Sequence, residues 1–150
     1  MSKINELWNK EKLPTKDGIY FANGESFSFL AEFYPHVFIK KGESFNLVDF
    51  LNKNPDCITT IDIFQKIKIQ MGGTCLLGEC SHGSEGFIAY ISSDEKLNWV
   101  IYFEESNPFI NAIELPDKFL EVESSANYKI IVDLKNPINI NIVSINGIEV

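Results

Sequence analysis

The feature that most constrains this chain is a change of pattern at Gly72-Gly73. From there to the C-terminus, short apolar segments alternate with turn residues at the spacing an antiparallel meander needs. The predicted strands are 74–80, 86–92, 97–103, 109–115, 119–123, 128–134 and 138–145. Their separators are Ser81-His-Gly-Ser, Ser93-Asp-Glu-Lys, Glu105-Ser-Asn-Pro, Pro116-Asp-Lys, Ser124-Ser-Ala-Asn and Lys135-Asn-Pro. In Pro137-Ile-Asn-Ile-Asn-Ile the alternation is strict, which assigns the isoleucines to a core and the asparagines to water.

The first half mixes two periods. Ile4, Leu7 and Trp8 lie on one helical face, so a helix is expected over 3–11, capped by Ser2 and limited by Pro14. Residues 19–22 read as a strand, Asn23-Gly24 as a two-residue hairpin, and 26–33 as a second strand with alternating aromatics. Pro35 predicts a bend, 36–40 a third strand, and Lys41-Gly42-Glu43 its turn. One or two helical turns follow at 46–51, capped by Ser44 or Asn46. Residues 59–71 are read as a further helix, capped by Thr59 or Thr60, with Ile63, Phe64, Ile67 and Met71 on its apolar face. The β-branched Ile61, Ile63, Ile67 and Ile69 also fit a strand from about residue 66. The expected fold is one α+β domain over 1–150, mainly an antiparallel meander with an N-terminal helix and one or two further helices packed on it.

Composition narrows the function classes. At 150 residues, a chain with 45% hydrophobic residues, 12 Phe, 5 Tyr and 2 Trp can fill a core without disulfides or metal. No apolar run approaches the roughly 18 residues needed to span a bilayer. The N-terminus, Met1-Ser-Lys-Ile-Asn-Glu, has neither an apolar core nor a cleavage site of a signal peptide, so a cytoplasmic protein is expected. Three cysteines, an odd number, fit free thiols in a reducing compartment. All 13 basic residues are Lys, and the net charge is −8. Without arginine to fork onto phosphates and guanines, nucleic-acid binding is not expected. The charge is uneven: residues 1–75 hold 9 acidic and 9 Lys side chains, whereas 76–150 hold 12 acidic against 4 Lys. Such asymmetry can steer a basic partner, or simply solubilise strands and turns.

Candidate chemistry is sparse. Cys75-x4-Cys80-x-His82, with Cys57 or His36 as a fourth ligand, is a marginal zinc spacing. On a strand, Cys75 and Cys80 point to opposite faces, which defeats shared ligation. Cys80 and His82 could meet as nucleophile and base, but no helix N-terminus follows to lower the thiol pKa. The glycine-rich run from Gly72 to Gly86 matches no phosphate-binding pattern, and a turn or bulge at a sheet edge is the plainer reading. Glu104-Glu105 and Asp94-Glu95 are adjacent carboxylates, which alternate across a strand rather than share a cleft. No catalytic residue, metal or cofactor is therefore expected.

The stretch Trp99-Val-Ile-Tyr-Phe-Glu-Glu, in a small acidic α+β protein, resembles immunity proteins of bacterial contact-dependent growth inhibition systems. That resemblance implies a protein partner, a cognate toxin domain such as a nuclease, neutralised by occlusion. The expected contact residues are Asp94, Glu95, Glu104, Glu105, Asp117, Glu121 and Glu123, with Trp99 and Tyr102 as aromatic anchors. The alternative is a small enzyme or ligand-binding protein using the loop from Cys75 to Glu85.

Overall fold

A computed structural model describes residues 1–70 and 72–150. Helix α1 (Lys3–Asn9) starts as expected, with the Ser2 hydroxyl accepting from the Asn5 amide, and it buries Ile4 and Leu7. Strands β1 (Lys12–Pro14), β2 (Gly18–Phe21), β3 (Ser26–Glu32) and β4 (Phe38–Ser44) follow, then helix α2 (Leu47–Lys53), capped by Asn46. The hairpin between β2 and β3 closes through three residues rather than two: the Phe21 amide donates to Glu25, and Gly24 takes φ +100°.

Two further expectations fail in this half. Residues 59–68 are not helical but belong to the long strand β5 (Ile58–Lys68); Met71 of the expected helical face lies outside the described residues. The register of β5 shifts between Ile63 and Gln65, a bulge around Phe64. It sends Ile61 and Ile63 toward one core and Ile67 and Ile69 toward the other. A strand feeding two cores carries apolar residues at spacings that also suit a helix face, which is what misled the helical reading. Likewise Lys41-Gly42-Glu43 does not turn the chain but lies inside β4, where the register against β3 slips at Ser28. The Ser28 hydroxyl accepts from the Glu43 amide there, and a Cβ on Gly42 would collide with the Ser28 hydroxyl oxygen.

The second half runs close to expectation: β6 (Thr74–Cys80), β7 (Gly86–Ile91), β8 (Leu97–Phe103), β9 (Phe109–Leu115), β10 (Phe119–Ser124), β11 (Tyr128–Asp133), β12 (Ile140–Ile145) and β13 (Ile148–Glu149). They do not form one meander. An eight-stranded sheet has the order β1-β5-β6-β7-β8-β2-β3-β4, and a five-stranded sheet the order β13-β12-β11-β10-β9. Every strand pairing is antiparallel.

The molecule is built in three layers. Between the sheets lie Ile19, Leu77, Ile88, Trp99, Ile101 and Phe103 of the large sheet against Phe109, Leu120, Val122, Tyr128, Ile130 and Val132 of the small one. On the other face of the large sheet, Tyr20, Leu76, Phe87, Val100 and Tyr102 pack against Ile4, Leu7, Leu47 and Leu51 of the helices. Strand β8 is thus covered on both faces, which is why Trp99-Val-Ile-Tyr-Phe is continuously apolar. Ile138, Ile140 and Ile142 pack on the inter-sheet core while Asn139 and Asn141 stay exposed, as the strict alternation predicted.

Candidate functional site

The nine expected contact residues do not form one surface. Asp94 and Glu95 occupy the turn before β8, and Glu104 and Glu105 follow its end. Seven residues of strand, about 23 Å, separate the two pairs. In the first turn the Asp94 carboxylate accepts from the Ser92 hydroxyl and, at 3.2 Å, from the Lys96 amide. The Ser92 hydrogen bond is the main cause of a lowered Asp94 pKa, so this carboxylate closes its own turn. Asp117 sits at positive φ in the single 3-10 turn Pro116–Lys118. Glu121 and Glu123 project from the outer face of the small sheet, where the Lys129 ammonium lies 3.6 Å from Glu121.

Trp99 and Tyr102 are not surface anchors. They are 2% and 0% exposed, pointing to opposite faces of β8 into the two cores. The apolar run that suggested a binding motif is the signature of a strand with no wet face.

What the fold does gather lies at one end of the large sheet. Asp17, in the connection before β2, accepts the Glu104 amide at 2.7 Å, although 87 residues separate the two. Burial, followed by the negative charges of Glu104 and Glu105, raises the Asp17 pKa to about 6, against the opposing effect of the Glu104 hydrogen bond. Its neighbour Lys16 does not neutralise the group by direct pairing: that ammonium lies over the rings of Phe45 and Phe50, 5.1 and 5.6 Å from their centroids. Asp17 was missed because nothing local marks it; its role depends on β2 pairing with β8, Gly18 opposite Tyr102.

The loop after Cys80 stands at the same end. Cys75 faces the inter-sheet core and Cys80 the helix-side core, as the strand geometry required. Burial pushes the Cys75 thiol up to about 12, and burial with the nearby Glu85 and Glu79 charges raises that of Cys80 as well. Among the described residues no group of three His, Cys, Asp or Glu side chains could hold a metal. The organising residue is Glu85, only 1% exposed. Its Oε1 accepts the His82 amide at 2.8 Å and the Thr59 hydroxyl at 3.2 Å, while Oε2 accepts the Tyr102 hydroxyl. The His82 Nδ1 is 3.3 Å from the same carboxylate, on a ring left 77% exposed. A buried carboxylate needs such donors, and here they come from three separate strands and loops. In the sequence Glu85 is only the end of the candidate loop from Cys75, because Thr59 and Tyr102 are distant in the chain.

Chemically, this end presents an exposed, carboxylate-oriented imidazole and a group of acids without lysine partners among the described residues, at the end of the sheet's interior strands. No family, curated protein or solved structure matches this chain.

Proposed function

We propose that this chain is an immunity protein that binds a cognate basic toxin domain and neutralises it by occlusion, without a reaction of its own. The observation that carries this reading is the end of the large sheet where Asp17, Glu104 and Glu105 crowd together. Glu104 and Glu105 are exposed, and among the described residues neither forms an ion pair with a lysine; the lysine pairs that do form involve Glu121 and Asp133. Like charges held together cost stability, so a surface that keeps them suits a partner of opposite charge and speeds encounter with it. Co-expression with the toxin domain encoded beside this chain tests the reading. The wild type protects cells and co-purifies with the toxin, whereas E104K/E105K loses protection; a wild type that neither binds nor protects ends it.

A second reading keeps one observation of its own, the His82 ring oriented by buried Glu85. In a small enzyme or ligand-binding protein built on the loop from Cys75 to Glu85, His82 would serve as the base. The buried, raised Cys80 thiol is a poor nucleophile. Histidine-selective acylation that modifies His82 no faster than His36 would remove the support for this reading.

A further inference from the structure

The two helices and Phe45 cover the large sheet as far as Tyr20 of β2 and Ser26 of β3, and from Leu30 outward the same face of the β3–β4 hairpin is bare. On the inner side of this hairpin, Phe27, Phe29, Ala31, Phe33 and Ile39 pack into the inter-sheet core, and the Phe33 ring stacks on Tyr128 at 5.7 Å. Alternation along the strands puts Leu30 and Glu32 of β3, and Phe38 and Lys40 of β4, on the opposite, bare face. The pairing sets Leu30 against Lys40 and Glu32 against Phe38. Leu30 is 57% exposed and Phe38 46%, and Tyr34 at the hairpin tip is 91% exposed. Two large apolar side chains on one diagonal and one acid and one base on the other make a checkerboard that nothing in the monomer covers.

The charge of this region separates it from the acidic second half of the chain. Residues 26–45 carry two acids, Glu32 and Glu43, and two lysines, Lys40 and Lys41, so the whole of the −8 lies elsewhere. A basic partner is drawn to the acidic second half, not to this neutral hairpin. A second copy of the chain is repelled by the acidic second half and can approach at this neutral hairpin.

We propose that this face of the β3–β4 hairpin is a self-association surface that docks on the same face of a second copy. The checkerboard is self-complementary. A two-fold axis lying in the interface along the Leu30–Phe38 diagonal places each apolar side chain on its own counterpart. The same rotation sets Glu32 against Lys40 of the second copy, and Lys40 against its Glu32, the reciprocal arrangement an isologous interface requires. The hairpin is held rigidly by its inner aromatic contacts, so little ordering is needed on docking. Four side chains are far fewer than the roughly 20–30 residues a side of a standard interface, so a weak, reversible dimer is expected. This inference is independent of the toxin reading.

Sedimentation of the full chain, from about 10 μM to 1 mM, tests it through a charge swap. The wild type forms a reversible dimer over this range. E32K and K40E each weaken it about tenfold, by turning two attractions into repulsions, and E32K/K40E restores it to within about threefold. E32K lowers the net charge from −8 to −6, so overall repulsion alone would tighten association; weakening therefore reports the local contact. Unfolding curves that match the wild type confirm that the exposed substitutions leave the fold intact. A wild type that stays monomeric to 1 mM overturns the proposal and leaves the face to a different protein. So does a dimer indifferent to the single swaps, or a double swap that fails to restore it.

Discussion

Strands β8 and β10 have similar lengths and opposite logic. In β8 every residue from Trp99 to Phe103 is at most 2% exposed, because helices cover one face of the large sheet and the small sheet covers the other. In β10, Leu120 and Val122 are fully buried, while the alternating Glu121 and Glu123 face outward. The difference is one covering layer, and it decides where charge can live. A strand with two covered faces displaces its carboxylates to its ends, as Glu104 and Glu105 show; a strand with one covered face carries them along its length. The acidic second half of the chain is therefore not a single acidic face but charge distributed over both sheets.

Four substitutions break or sharpen that contrast. The largest effect is expected at the last residue of the doubly covered strand, on its inter-sheet face. Phe103 contacts the rings of Phe29, Phe33 and Phe109, so Phe103→Ala should cost about 3–5 kcal/mol in denaturant unfolding. A loss under about 1 kcal/mol would mean that the inter-sheet core is not continuous across this site.

Next comes the one polar network this strand tolerates. Tyr102→Phe removes a donor from buried Glu85 and should cost about 1–3 kcal/mol, with the loop from Ser81 to Glu85 exchanging its amide hydrogens faster. Unchanged exchange at the His82 amide, which Glu85 accepts, would show that the loop is held by other means.

A smaller effect with a distinctive pH dependence is expected at the strand's acidic end. Asp17 has a folded pKa of about 6, above its ordinary value of 3.8, so the folded state binds the proton more tightly than the unfolded chain. Wild-type stability should therefore fall as pH rises from about 4 through 6, and Asp17→Asn, which keeps an acceptor for the Glu104 amide, should flatten that fall. At pH 8 the variant should be more stable by about 1 kcal/mol, the full linkage value being reduced by partial solvent screening. Parallel pH profiles for wild type and variant would show that burial and the neighbouring acids do not hold the Asp17 proton above its ordinary range.

The smallest effect belongs to β10. Glu121 is paired with Lys129 on a solvated face, so Glu121→Ala should change stability by no more than about 0.5 kcal/mol. A loss of several times that size would place Glu121 in a more buried environment than its face of the sheet provides.

Much of the local structure could be read directly. The Ser2 cap, the extents of β6, β8 and β9, and the opposite orientation of Cys75 and Cys80 all follow from caps and alternation within about ten residues. The misread elements, β5 and the supposed turn inside β4, share one cause. In β5 a bulge divides the isoleucines between two cores, and a bulge depends on the neighbouring strand. Gly78 of β6 shows this from the other side: a Cβ there would lie 2.0 Å from the Asp62 carbonyl oxygen, so the crossing admits only glycine. Trp99 and Tyr102 were assigned to a surface because their run was compared with a motif rather than with the burial that a continuous apolar strand implies. Asp17 and Glu85 could not be found at all, since their partners are contributed by other strands.

By itself, then, the order of residues determined the α+β class, most of the strand boundaries, the alternation of isoleucine and asparagine near the C-terminus, and the excess of acid. Those properties depend on backbone preference and on the two-residue period, which act over a few neighbours. Only the tertiary structure decided that the meander divides into two sheets, that β2 inserts beside β8, and that Asp17 thereby meets Glu104. It also decided which apolar residues remain bare, since Leu30 and Phe38 differ from the buried Phe29 only in the face they occupy. Pairing between distant strands is a choice among near-equal hydrogen-bonding edges. That choice is made by burial summed over the whole chain, a quantity no short segment contains.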